Sequence, residues 1–208
     1  MGFTNLRALV STQIETRLAT PEEYLAAERV AETRSEYFAG EIRSMTGASR
    51  AHGLIVLNIG AELRAQLKGR PCEAYVESMR TKVSRTGMYT YPDVVVVCGE
   101  PEMEDEQLDT VLNPTLIVEV LSPSTERHDR GRKLEYYRKI PSLVEYMLVA
   151  QDARRIERYT RQDGGLWSYS DTEEGQQTVE IASIDCILAL DEVYDRIDFS
   201  GARTEEPR

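Results

Sequence analysis

The chain has 208 residues, of which 41% are hydrophobic and 29% charged, and its formal charge is -11. That is enough chain for one compact domain with an ordinary apolar fraction, which excludes a disordered, collagen-like or low-complexity protein. No apolar run approaches the ~20 residues of a membrane-spanning helix, and the opening MGFTNLRALVSTQIETR lacks a long apolar segment with a small-residue cleavage site, so a cytoplasmic protein that avoids the membrane is expected.

Thr20, Pro21 and Glu23 combine a hydroxyl cap with proline at the first helical position and predict a short helix near 21–29. Residues 35–45 hold two short alternating runs around Ala39 and Gly40, which predicts a hairpin with the glycine in its turn and Glu41 opening its second strand. Across 49–67, Leu54, Leu57, Ala61 and Ala65, with Ile55, Ile59 and Leu63 beside them, recur every three or four residues. That spacing predicts an amphipathic helix, closed by Lys68 and Gly69.

Strand-like runs follow at 72–76, 80–84, 92–98 and 115–121, and the last two are almost continuously apolar, as central strands covered on both faces are. Residues 129–140 read as a helix stopping before Pro141, 144–150 and 155–159 as strands, and 167–170 with 177–184 as a peripheral antiparallel hairpin or meander. The order predicts a mixed α/β (α+β) arrangement on one sheet. The expected layout is an N-terminal segment (1–19), a single domain (20–199) and a flexible tail (200–208).

Cys72, Cys98 and Cys186 are odd in number and far apart, with no CxxC pair and only His52 and His128 to join them. Neither a zinc cage nor a disulfide framework is expected, and Cys98, after four valines, reads as a small buried hydrophobe. The acidic balance opposes nucleic-acid binding by the surface as a whole. It is uneven, however: residues 100–110 carry six acids and 171–192 carry seven, without one Lys or Arg, which leaves a charge of +2 for the remainder. Residues 126–139 hold six Lys or Arg against three acids, so a locally basic surface is expected there.

Neither GxxxxGK(S/T), GxGxxG, GxSxG nor HExxH occurs, which leaves P-loop, dinucleotide, serine-hydrolase and zincin chemistry without support. What stands out is a pair of acids in apolar strands, Asp93 in YPDVVVV and Glu119 in LIVEVLSPST. A buried carboxylate without a partner costs several kcal/mol, so each needs hydrogen bonds, a counter-charge or a metal. If the two strands bring them together, their oxygens suit Mg²⁺ or Mn²⁺, which would polarise a phosphoryl oxygen and generate a nucleophilic hydroxide. The plainer alternative has Asp93 capping a turn after Pro92 and Glu119 paired with a base at a strand end. Lys133 shares a helix face with Asp129 and Tyr137, where it either faces the carboxylates or is a solvated lysine paired with Asp129.

EYFAGEIRSMTGAS followed by His52, then YPDVVVV, then NPTLIVEVLSPSTERHDRGRKLEYYRKIPSLVEYMLV resemble the Uma2 family (DUF820) of restriction-endonuclease-like proteins in the PD-(D/E)xK nuclease superfamily. The resemblance covers about 20–159 and implies a restriction endonuclease-like core: a mixed central sheet flanked by helices, here with an N-terminal hairpin and a C-terminal β extension. It implies Asp93 and Glu119 as catalytic ligands of Mg²⁺ (or Mn²⁺), DNA as the nucleic-acid partner, and a homodimer. The superfamily pattern places lysine two residues after the glutamate; Leu121 stands there, and the resemblance offers Lys133 as that lysine moved to the next helix. Glu41, His52 and Lys82 are second-rank candidates, as an upstream acid, a site-facing imidazole and a phosphate contact. Arg127, Arg130 and Arg132 are the expected contacts to the nucleic-acid backbone. The reading that follows is a metal-dependent endonuclease; the alternative is a catalytically inactive binding or regulatory protein on the same scaffold, which the acidic surface and Leu121 permit.

Overall fold

The computed structural model describes residues 18–45, 47–83 and 87–200; most of the expected N-terminal segment, Ser84 and the tail beyond Ser200 lie outside these. Helix α1 (Pro21–Glu28) starts with a capping box, the Thr20 hydroxyl accepting from the Glu23 N–H and the Glu23 carboxylate from the Thr20 N–H. Strands β1 (Ser35–Phe38) and β2 (Glu41–Ser44) form the expected hairpin. Ala39 and Gly40 both have positive φ (49° and 99°), as a two-residue turn matched to strand twist requires. After α2 (Arg50–Gln66) come β3 (Cys72–Val76), β4 (Arg80–Val83), β5 (Met88–Thr90), β6 (Val94–Cys98), β7 (Thr110–Val111) and β8 (Leu116–Leu121). Then α3 (Glu126–His128), a π-helical turn (Asp129–Lys133) and α4 (Leu134–Tyr137) follow without a break, before β9 (Glu145–Ala150), β10 (Ile156–Arg161), β11 (Trp167–Asp171), β12 (Thr178–Ile181), β13 (Cys186–Ala189) and α5 (Leu190–Val193).

The α/β class is as expected, but the strands form two sheets and a ribbon rather than one sheet. The central sheet runs β11-β10-β9-β8-β6-β3, with β8 and β9 parallel across the α3–α4 crossover and the other pairs antiparallel. The hairpin does not join it: β1 pairs with β5 in a second sheet ordered β2-β1-β5-β4-β7. Strands β5 and β7 are three and two residues long, too short to show a period in sequence. The predicted hairpin between 167–170 and 177–184 does not form either; β11 is the edge of the central sheet, and β12 pairs with β13.

Alternation along β8 divides the core. Leu116, Val118 and Val120 share a cluster with Ile55, Val56, Ile59 and Leu63 of α2, over which β12, β13 and α5 also pack. Ile117 and Leu121, on the other face, share one with Tyr137, Leu143 and Tyr146 beneath the α3–α4 helix. That helix begins and ends three residues before the predicted 129–140, because the Ser122 carbonyl already accepts the Thr125 and Glu126 N–H groups.

The cysteine reading needs correction. Cys72 and Cys98, 26 residues apart, are direct cross-strand partners in the β3–β6 pair and form a disulfide, while Cys186 is free and buried. Sequence spacing concealed what strand register brings together. Among the described residues, no helix is long and apolar enough to cross a membrane.

Gly60 is where α2 meets β3: a Cβ there would lie 2.6 Å from Val76 Cγ2, a branched side chain with one rotatable bond. A Cβ at Gly53 would meet nothing within 4 Å. Gly60→Ala is therefore expected to destabilise by about 1–3 kcal/mol despite its better helix propensity, and Gly53→Ala to stabilise by about 0.5–1 kcal/mol. Urea unfolding of both variants checks the pair, and equal signs would contradict this packing.

Candidate active site

Three neighbouring strands carry an acid at one level. Register pairs Val76 with Val94 and Val94 with Val118, so one step beyond, Glu77 lies opposite Asp93 and Asp93 opposite Glu119. The Glu77 N–H donates to the Asp93 carbonyl at 2.9 Å, and the Val120 N–H to Asp93 Oδ2 at 2.6 Å. Asp93 thus does more than cap a turn: its side chain satisfies a buried backbone donor of β8 where the ladder stops. Opposed residues of an antiparallel pair face the same side, and for Asp93 and Glu119 that side is the one under the α3–α4 helix; Glu77, exposed and with positive φ (50°) just past the end of β3, reaches the row from its rim.

Lys133 is buried there rather than solvated. Its Nζ lies 3.0 Å from Glu36 Oε1, 3.1 Å from Glu119 Oε1 and 3.3 Å from Asp129 Oδ1. The Tyr137 hydroxyl donates to Glu119 Oε1 at 2.8 Å, so Thr90, 2.8 Å behind it, must donate to Tyr137. Burial works against the Lys133 ammonium, but Glu119, Glu36 and Asp129 outweigh it and hold its pKa well above the usual lysine value. Burial raises the Glu119 carboxyl well above the usual carboxylate range, and Asp129, Asp93 and Glu36 push the same way against Lys133. The Lys133 shift arises because several carboxylates share its ammonium, which stays charged, whereas the Glu119 shift arises first from burial.

His52 reaches this row from the first turn of α2, where the Ser49 hydroxyl caps its backbone N–H. Its Nε2 lies 3.3 Å from Asp93 Oδ2. Burial lowers the pKa of this imidazole, yet Asp93, with Glu77 and Asp129, more than compensates, and it ends above the ordinary value. His52, Glu77 and Asp93 each offer one ligand atom, all within 4.8 Å of one another, an arrangement that could hold a metal ion. These groups line a cavity of about 510 Å³. Five carboxylates (Glu36, Glu77, Asp93, Glu119, Asp129) and the cations of Arg43 and Lys133 face it. His128, also on the wall, is lowered to about 4 by burial and by Lys133, Arg43 and Arg132, and is neutral near pH 7.

The structure therefore brings Asp93, Glu119, Lys133 and His52 together and leaves the other candidates outside. Glu41 is exposed and pairs with Arg132 and Arg43. Lys82 pairs with Glu104 and lies over the Tyr89 ring. Arg130 is held by Glu126 and Glu157, Arg132 by Glu41, and Arg127 is exposed with no ion-pair partner among the described residues.

The model of the Uma2 family, described as "Putative restriction endonuclease", matches residues 21–190. The chain belongs to the Uma2 family. Two Synechocystis proteins resemble it, both described as uncharacterized: sll1609, 38% identical over 73% of this chain and 86% of its own, and slr1290, 35% identical over 86% and 93%. The crystal structure of an Anabaena variabilis protein, described as a putative nuclease belonging to DUF820, superposes with a TM-score of 0.69 at 19% identity, covering 85% of this Uma2 protein and 97% of that chain. At that identity the likeness establishes the shared fold.

Sequence reasoning missed Glu36, Glu77 and the role of Asp129. Glu36 shares a strand face with Phe38 and alternates with Tyr37, an acid beside apolar neighbours of the kind that drew attention to Glu119, but it sits in a hairpin that looked peripheral. Leu121, at the superfamily's lysine position, faces the same side as Glu119 and fills the apolar cluster with Tyr137, while the ammonium arrives from the helix. Replacing Lys133 leaves several buried carboxylates without their cation, so Lys133→Met is expected to cost about 3–5 kcal/mol. Arg127→Met, at an exposed position, should change stability by less than about 0.5 kcal/mol. Chemical denaturation of the two variants measures the contrast; a near-neutral Lys133→Met would refute this account of the cluster.

Proposed function

We propose that this Uma2 protein is a divalent-metal-dependent nuclease that hydrolyses phosphodiester bonds of DNA. The observation that carries the reading is the row Glu77–Asp93–Glu119 opening into a cavity where acids outnumber bases. Such a wall would repel a phosphodiester unless a cation intervened. Carboxylate oxygens suit Mg²⁺ or Mn²⁺, and His52, Glu77 and Asp93, whose ligand atoms lie within 4.8 Å of one another, could hold such an ion, with Glu119 joining Asp93 from the neighbouring strand. A bound cation would draw charge from a phosphoryl oxygen and lower the pKa of a water.

The chain's own groups do the rest. Asp93 is fixed by the Val120 N–H and by His52, so its orientation does not depend on substrate. Tyr137 and Lys133 hold Glu119 Oε1 in place. The Lys133 ammonium, buried beside the cavity and always charged, offsets negative charge that develops on the phosphate during attack. Lys133 acts from the helix, in the role the superfamily gives to a strand lysine.

Asp93→Asn keeps an oxygen acceptor for the Val120 N–H while removing the charge, so it should fold. Wild-type protein is expected to cut DNA with Mg²⁺ or Mn²⁺ and to stop in chelator; the variant should be slower by on the order of 10²-fold or more. Gel assays on plasmid and linear DNA measure this. Equal cleavage by both proteins, or none by wild type with either ion, would overturn the reading, and the second outcome would favour a non-catalytic nucleic-acid-binding protein.

A further inference from the structure

We propose that the nucleic acid enters this site as a single strand, guided by a strip of cations laid over aromatic rings along the α3–α4 helix. The inference rests on the nuclease reading for its destination, but it concerns binding and is tested without cleavage.

The strip starts at the cavity. Arg43 and His128, both on the cavity wall, contact Phe38, the guanidinium 6.0 Å above its ring and the imidazole edge-on at 4.7 Å. Arg132 lies over Phe38 at 5.2 Å and Tyr136 at 5.8 Å, Lys139 over Tyr136 at 4.8 Å, and Arg138 over Trp167 at 6.0 Å. Arg43, Arg132 and Lys139 are thus linked to the cavity wall through Phe38 and Tyr136, and Arg138, next to Lys139 in the chain, adds a fourth cation over Trp167. Among the described residues only Glu41 and Glu135 pair with them, and both carboxylates are more than half exposed, where ion pairs are worth little. Arg138 has no acidic partner among the described residues. On a chain of charge -11 this is a local reversal of sign, and the acid-rich segments 100–110 and 171–192 lie in other elements. Stacking on a ring restricts a long basic side chain beforehand, so less entropy is lost when it meets a phosphate.

The cavity decides the form of the strand. Asp93, Glu119 and Lys133 keep no more than 12% of their side-chain surface exposed, so the reacting phosphate must enter the cavity to reach them. A duplex holds its phosphates on the outside of a stiff rod. A single strand bends, so its backbone can follow the strip of cations and still turn a phosphate into the cavity.

The experiment is fluorescence anisotropy of a labelled oligonucleotide of roughly 16 nucleotides, single-stranded or annealed, in chelator. The variant R138E/K139E changes two exposed side chains of the strip. R64E/K68E makes the same charge change on exposed residues at the end of α2, across the central sheet. Wild type is expected to bind the single strand more tightly than the duplex. R138E/K139E should bind it at least tenfold more weakly, with a salt dependence shallower by about 1.4, and R64E/K68E should bind like wild type. Equal or tighter duplex binding, no binding by wild type, or equal losses in both variants would overturn the proposal. A protein that binds in this manner and never cuts with Mn²⁺ would instead refute the nuclease reading and leave the strip standing.

Discussion

One ammonium cannot neutralise the carboxylates that crowd around it. Lys133 sits within about 3.3 Å of Glu36, Glu119 and Asp129, with Asp93 and Glu77 continuing the row across β6 and β3. Removing charge from water is expensive, and like charges at this range oppose one another. A sequence keeps such an arrangement stable by supplying donors and a cation, and the chain supplies the Tyr137 hydroxyl, the Val120 N–H, His52 and Lys133 from four different elements. The remaining negative charge faces the cavity, where the divalent cation of the proposed function would complete the balance.

That constraint explains the surroundings. The apolar faces of β6 and β8 are filled on one side by α2 and on the other by the α3–α4 helix, so the strand ends are fixed rigidly and the acids they carry cannot drift apart. The π-helical turn covers Asp129–Lys133, the stretch that delivers two of the charged groups. Wide turns of this kind frequently interrupt helices at functional sites. Here the first and last of its five residues, Asp129 and Lys133, meet beside Glu119.

Much of this was legible in the sequence because local patterns encode it. Asp93 and Glu119 announce themselves as acids in near-continuous apolar runs, and the helical spacing of Asp129, Lys133 and Tyr137 places them on one face. The long helix α2 and the central strands follow from periodicity alone. What escaped depends on partners distant in sequence: β5 and β7 exist only through pairing, the Cys72–Cys98 bond only through the β3–β6 register, and Glu36 and Glu77 become part of the site only when two sheets and a helix meet. Arg130 looked like a free cation within a basic run, and the buried acid that engages it, Glu157, lies far away along the chain.

The central claim is that the carboxylate row has a place for a divalent cation. Thermal denaturation with increasing Mn²⁺ tests it most directly, since an ion that binds only the folded chain raises its melting temperature according to concentration and affinity. The account predicts a saturable rise for the wild-type protein that Glu77→Gln reduces and Glu119→Gln with Asp93→Asn abolishes. A melting temperature indifferent to Mn²⁺, or one that rises equally in all these proteins, would contradict it.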